Sequence, residues 1–233
     1  MRVAALYDIH GNLPALEAVL AELQGLQPDL VVIGGDSVLG AFPRETLEEL
    51  LALDERARFV RGNTDREPDE FASAELTPEQ REFLAGLPLT VSLEVDGLGP
   101  VLFCHASPRD DEEIITTLTP PERLDPMLAG VTEDVVVCGH THVQYDRLVG
   151  SLRLVNAGSV GMPYADEPGA YWALLGPDVE LRRTAYDLEA AAERIGAGRW
   201  PQAEEFVREN LLNVPSGDEA SRYFEDLAAR ASN

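Results

Sequence analysis

Side chains that can hold a metal ion recur at one kind of place in this chain. Asp8 and His10 stand in LYDIHGN, Asp36 in VVIGGDSV, Asn63 in FVRGNTD, His105 in VLFCHAS, and His140 and His142 in VVVCGHTH. Each follows a short apolar run. The chain has four histidines, and all four belong to this set. Mixed imidazole and carboxylate donors suit borderline or hard divalent cations. Manganese is the expected metal, with iron, zinc, nickel and cobalt as alternatives. Seven donors exceed what one ion takes and match two. Such a pair, ~3.5–4 Å apart, needs a bridging carboxylate and acidifies water into a nucleophile for an in-line attack on phosphorus.

The elements that position these residues follow from the apolar pattern. RVAALYD, DLVVIGGD, ARFVRGN, PVLFCH and DVVVCGH read as buried strands, and LTVSLEV alternates like a half-exposed one. LPALEAVLAELQGL has helical spacing, with Asn12 as N-cap and Pro14 in the first turn. PRETLEELLALD and TPEQREFLAGL are further helices, the second capped by Thr77. In α/β sheets the loops at the carboxyl ends of strands form the functional crevice, so all seven side chains are expected at one sheet edge. Glycines 11, 34, 35, 62 and 139 beside them permit tight turns. LRLVNAGS, AYWALLG and VELRRTAYD read as strands of a later, more antiparallel portion. From Leu188 three helical stretches follow, LEAAAERIG, PQAEEFVRENLLN and DEASRYFEDLAARA. They could be a packed extension, a cover for a cleft or an oligomer contact; their amphipathic spacing favours the first. The expected division is a catalytic domain over 1–187 and a helical extension over 188–233.

Composition narrows the function classes. The 233 residues are 45% hydrophobic and 26% charged, as in a globular protein, and no apolar run approaches the ~20 residues of a membrane span. The N-terminal run is too short for a signal peptide and enters an Asp and a His, so the expected location is cytoplasmic. The net charge is −24, and all 18 basic residues are arginine. Without lysine there is no phosphate-gripping Walker lysine and no Schiff base. Such acidity argues against an extended nucleic-acid surface, yet leaves room for a small anion held at a bound cation. Cys104 and Cys138 are read as free buried thiols, too few for structural zinc.

DIHGN, GGDSVLG, GNTD, CHAS and GHTH, in this order, resemble the five motifs of the calcineurin-like metallophosphoesterases. NAGSVGMP resembles a segment of their small prokaryotic phosphodiesterase branch, and the likeness spans about residues 3 to 175. The resemblance implies a four-layer α/β/β/α sandwich with two mixed central sheets, carrying the helical C-terminal extension. It implies that Asp8, His10 and His142 hold one metal, that Asn63, His105 and His140 hold the other, and that Asp36 bridges. Asp36, Asn63 and His105 are the expected catalytic residues. Thr64 stands where many members have a histidine, which leaves proton donation to the leaving group without an assigned side chain. Tyr164 stands where an arginine is common. Asp65 either orients neighbouring ligands or caps its loop. The implied activity is hydrolysis of small phosphodiesters, cyclic or nucleotide-like, by a hydroxide bridging the metals. The alternatives are a phosphomonoesterase, a diadenosine-polyphosphate hydrolase or protein phosphatase, and a scaffold that binds metal without turnover. A homo-oligomer is compatible with the sequence.

Overall fold

The apolar runs become strands slightly shorter than the runs themselves, because each strand stops where the chain must turn to present a polar side chain. The computed structural model describes residues 1–231. In chain order it contains β1 (Val3–Leu6), α1 (Leu13–Leu26), β2 (Leu30–Ile33), α2 (Pro43–Leu51), β3 (Ala57–Phe59), α3 (Asn63–Arg66), α4 (Glu70–Glu75) and α5 (Pro78–Ala85). Then follow β4 (Thr90–Val95), β5 (Gly99–Cys104), α6 (Pro121–Met127), β6 (Val135–Cys138), β7 (Tyr145–Val149) and β8 (Leu152–Asn156). The last elements are β9 (Ala170–Leu175), β10 (Val179–Thr184), α7 (Leu188–Gly196), α8 (Ala203–Phe206) and α9 (Gly217–Ala231).

Two five-stranded mixed sheets result, β10-β9-β1-β2-β3 and β4-β5-β6-β8-β7. β1, β2 and β3 are parallel, as are β5, β6 and β8. Alternation along each strand sorts the side chains between layers. Val3, Ala5 and Tyr7 join Val101, Phe103, Val135 and Val137 in the core between the sheets. Tyr7 is fully buried there, and its hydroxyl donates to the Val137 carbonyl at 2.9 Å, tying one sheet to the other. Ala4 and Leu6 face outward under Leu13, Leu16, Val19 and Leu23 of α1. Leu102, Val136 and Leu154 face the opposite way, under Leu124 of α6. Helices thus cover both outer faces, giving the expected α/β/β/α sandwich.

The later portion is more antiparallel, as expected: β8 pairs antiparallel with β7, and β9 with β1 and β10, while β8 runs parallel to β6. Two local features differ from the sequence reading. β7 itself escaped notice because YDRLV is an edge strand with Asp146 and Leu148 exposed. PQAEEFVRENLLN is not one regular helix. α8 passes into a π-helical turn, Val207–Leu211, closed by Leu212 N–H donating to the Val207 carbonyl at 3.0 Å. The wider turn keeps Leu211, five residues after Phe206, in the same buried cluster. That cluster packs α7, α8 and the π turn against Ala41, Phe42 and Met162. Among the described residues no helix is long and apolar enough to cross a membrane.

Candidate metal centre

Five strands deliver the seven side chains to one place. Asp8 and His10 follow β1, Asp36 follows β2 and Asn63 opens α3 after β3; these come from one sheet. His105 follows β5, and His140 and His142 follow β6, from the other. The carboxyl ends of both sheets meet at this edge, as expected for a parallel arrangement.

Asp8, His10 and His142 form one group of donor atoms, and Asp36, His105 and His140 form a second. In the first, Asp8 Oδ1 lies 3.4 Å from His142 Nε2 and 3.9 Å from His10 Nε2, and the two imidazole Nε2 atoms are 3.1 Å apart. In the second, Asp36 Oδ1 lies 3.5 Å from His105 Nε2. Asn63 Oδ1 joins this group, 3.1 Å from the same nitrogen. The other oxygen of Asp36 points toward the first group, with Oδ2 3.9 Å from His10 Nε2. One carboxylate therefore reaches both. Asp8, His10, Asp36, His105 and His142 are buried, whereas Asn63 and His140 are only partly buried, so the second group is the more open to solvent.

The backbone at these positions is unusual. Asp8, His10, Asp36, His140 and His142 all have positive φ, between 49° and 65°. A residue with a Cβ in this left-handed region costs roughly 1–2 kcal/mol, and such residues cluster at functional sites where the surroundings over-determine them. Here cross-loop hydrogen bonds do so. Asp8 N–H donates to the Gly35 carbonyl at 3.1 Å and His10 N–H to the Asp36 carbonyl at 2.9 Å. The Asp8 carbonyl accepts from the Ser159 hydroxyl at 2.7 Å and from Gly161 N–H at 3.0 Å. Close approach adds a second constraint, because a Cβ on Gly139 would overlap Asp8 Oδ2.

Orientation of the rings follows from the same bonds. His105 Nδ1 donates to the Gly34 carbonyl at 2.9 Å, and His142 Nδ1 donates to the Met162 carbonyl at 2.7 Å. A carbonyl only accepts, so the proton sits on Nδ1 and Nε2 is directed at the site. These carbonyls left no signal in the sequence, since any residue supplies one. Asp8 Oδ2 accepts His140 N–H at 2.8 Å, and Asp36 Oδ1 accepts Thr64 N–H at 2.9 Å. Asp65 resolves as a loop cap: Oδ1 accepts Ser37 N–H at 2.9 Å and Oδ2 accepts Gly62 N–H at 3.2 Å. Tyr164 stacks on the His142 ring, with centroids 5.0 Å apart, a contact the sequence did not announce.

The site's electrostatics call for a cation. Asp8 Oδ1 is buried without a hydrogen-bond partner, an acceptor that a positive ion would satisfy. Burial alone would raise the Asp8 carboxyl, but the imidazoles of His142, His105 and His10 outweigh it and hold it well below the usual carboxylate range. Burial, and then the His142 ring, push His10 down to about 4; burial, and then the His105 ring, do the same to His140. Both are therefore neutral near pH 7, the form that ligates metal. His105 differs. Its burial is outweighed by Asp36, Asp8 and the Gly34 carbonyl, which raise it. Burial and the nearby Asp36 push Asp65 up to about 7. The donor set and its orphaned oxygen fit divalent metal.

The chain is similar to known proteins. The model of the calcineurin-like phosphoesterase superfamily domain matches residues 1–176. The phosphodiesterase YfcE of Escherichia coli is 31% identical over 187 residues, covering 75% of this chain and 87% of its own. A metallophosphoesterase structure from Sphaerobacter thermophilus superposes with a TM-score of 0.68 at 26% identity, covering 89% of this chain and 98% of that one. A structure from Pyrococcus horikoshii shares the fold, with a TM-score of 0.74 at 22% identity over 92% of this chain and 99% of that one. The ordered motifs, the two-sheet sandwich and the model match over residues 1–176 lead to one conclusion: the chain belongs to the calcineurin-like phosphoesterase superfamily, in the small prokaryotic branch that includes YfcE.

Proposed function

We propose that the protein is a dinuclear metal-dependent phosphodiesterase. The observation that carries this reading is the Asp36 carboxylate, whose two oxygens lie toward different donor groups. In this reading Asp8, His10 and His142 hold one ion, Asn63, His105 and His140 hold the other, and Asp36 serves both. Bound divalent metal supplies Lewis-acid charge to the phosphate oxygens and acidifies water for attack on phosphorus.

The chain's own groups do the rest. The Gly34 and Met162 carbonyls fix the tautomers of His105 and His142, and the Thr64 and His140 backbone N–H groups anchor the two carboxylates. This preorganisation means the donors need not reorganise during the reaction. Asn63 and His140, the least buried of the seven donors, mark the side from which substrate enters in this reading.

Charge favours a diester over a monoester. Arg61 and Arg66, which flank the Gly62–Asp65 turn, are both tied to Asp111, at 2.8 Å and 2.5 Å. With both guanidiniums engaged by Asp111, the site's surroundings suit the single charge of a diester better than the double charge of a monoester. The test is hydrolysis of bis(p-nitrophenyl) phosphate and p-nitrophenyl phosphate by purified protein with Mn²⁺. Metal-stimulated turnover that is faster on the diester is expected. No turnover of either ester would end the enzyme reading, and a faster monoester rate would overturn the substrate preference.

A further inference from the structure

The C-terminal helices do more than cover the core. Trp200 and Phe206, with ring centroids 5.3 Å apart, stand against Phe42 and Met162 in the cluster that holds α7 and α8 in place. Together with Leu39, Met162 and His10 they line a cavity of about 260 Å³. His10 thus belongs both to this cavity and to the first donor group. Trp200 and Phe206 lie beyond residues 1–176, the part of the chain matched by the superfamily domain.

Three features define what the cavity accepts. A cavity of about 150 Å³ admits benzene, so this one has room for one flat ring system and too little for a peptide or sugar chain. Its apolar walls are the Trp200 and Phe206 rings, the Met162 thioether and Leu39, surfaces against which a flat ring packs well. Gln202, exposed at its edge, contributes a side-chain amide that both donates and accepts. Such a group suits a ligand that carries polar atoms on its edge. Asp69 also lines the cavity and opposes a second anionic group. A neutral, flat ring with polar atoms on its edge describes a nucleobase.

Resting on the phosphodiesterase reading above, we propose that this cavity binds the base of a nucleotide phosphodiester, with Trp200 as the specificity-determining residue.

Two readouts test this. The chain has two tryptophans, and the other, Trp172, is fully buried in the core. Titration of the manganese-loaded protein with AMP should quench Trp200 fluorescence saturably. Inorganic phosphate should not quench it, and W200F, which reports Trp172 alone, should show no response. In the second readout, thymidine 5′-monophosphate p-nitrophenyl ester and methyl p-nitrophenyl phosphate release the same p-nitrophenolate. The ratio of their kcat/KM values should fall on the order of tenfold in W200A, the range of base–aromatic stacking, and the change should appear in KM. W200F keeps a ring and should fall in between, which covers the case that W200A does not fold. Absence of quenching together with an unchanged ratio overturns the cavity assignment alone. Quenching without hydrolysis of either ester retains the base site and overturns the phosphodiesterase reading.

Discussion

Asp36→Asn separates a shared ligand from one that serves a single ion. Asp36 Oδ1 is 3.5 Å from His105 Nε2 and Oδ2 is 3.9 Å from His10 Nε2, so the substitution touches both donor groups. The fold should survive, because the amide oxygen can still accept the Thr64 N–H that Oδ1 accepts now. The contrast is His142→Gln, which removes a donor from the first group only. Free Mn²⁺ at a hundred times its dissociation constant stabilises a folded chain by about 2.7 kcal/mol per site, hence about 5 kcal/mol for two. In a chain of this size 1 kcal/mol moves the melting temperature by about 2–4 °C, so the wild type should gain roughly 10–20 °C from the metal. His142→Gln should bind one ion and gain about half of that. Asp36→Asn should bind neither and gain almost nothing. Elemental analysis after gel filtration, with differential scanning calorimetry, measures both quantities. An Asp36→Asn protein that retains one ion and half of the thermal gain would refute the shared-carboxylate argument.

Three further predictions follow from particular contacts. Gly139→Ala forces a methyl group onto Asp8 Oδ2 and Tyr7; it should destabilise the metal-free protein by about 1–3 kcal/mol in urea titration, the range of overpacking, and weaken manganese binding. Asn12→Ala removes the acceptor for Ala15 N–H at the start of α1 and the donor to the Gly161 carbonyl at 2.9 Å. The lost cap and the stranded carbonyl should together cost about 2–3 kcal/mol in the same measurement. The last concerns pH. His140 is held down to about 4 in the folded chain, so the unfolded chain takes up its proton first as pH falls. The stability from keeping His140 neutral is complete above about pH 6.5 and is lost as pH falls through about 4. Metal-free wild type should therefore lose stability across this window more steeply than His140→Gln, by up to about 1.4 kcal/mol per pH unit. Parallel pH profiles for the two proteins would contradict the assignment.

Much of the fold was legible because buried parallel strands are written as continuous apolar runs, as in Val135-Val136-Val137-Cys138, and because these runs stop where chemistry begins. Convergence of the seven side chains followed from the rule for strand ends. Other features were hidden for identifiable reasons. PPERLDP received no element from the sequence, since its three prolines break the helical pattern, although Pro121 opens α6 and Pro126 lies within it. The glycines around the site suggested where the chain turns, yet five of the donors themselves adopt the left-handed backbone, which their side-chain types do not announce. The carbonyls that orient His105 and His142 carry no sequence signature. The meeting of His10 with Trp200 joins residues far apart in the chain, and only the packing of the C-terminal helices brings them together.

Anomalous diffraction from crystals grown with manganese tests the central claim most directly. The account predicts two peaks in each molecule, one contacted by Asp8, His10 and His142 and the other by Asn63, His105 and His140, with the Asp36 carboxylate touching both. A single peak, or two peaks that Asp36 does not join, would contradict it.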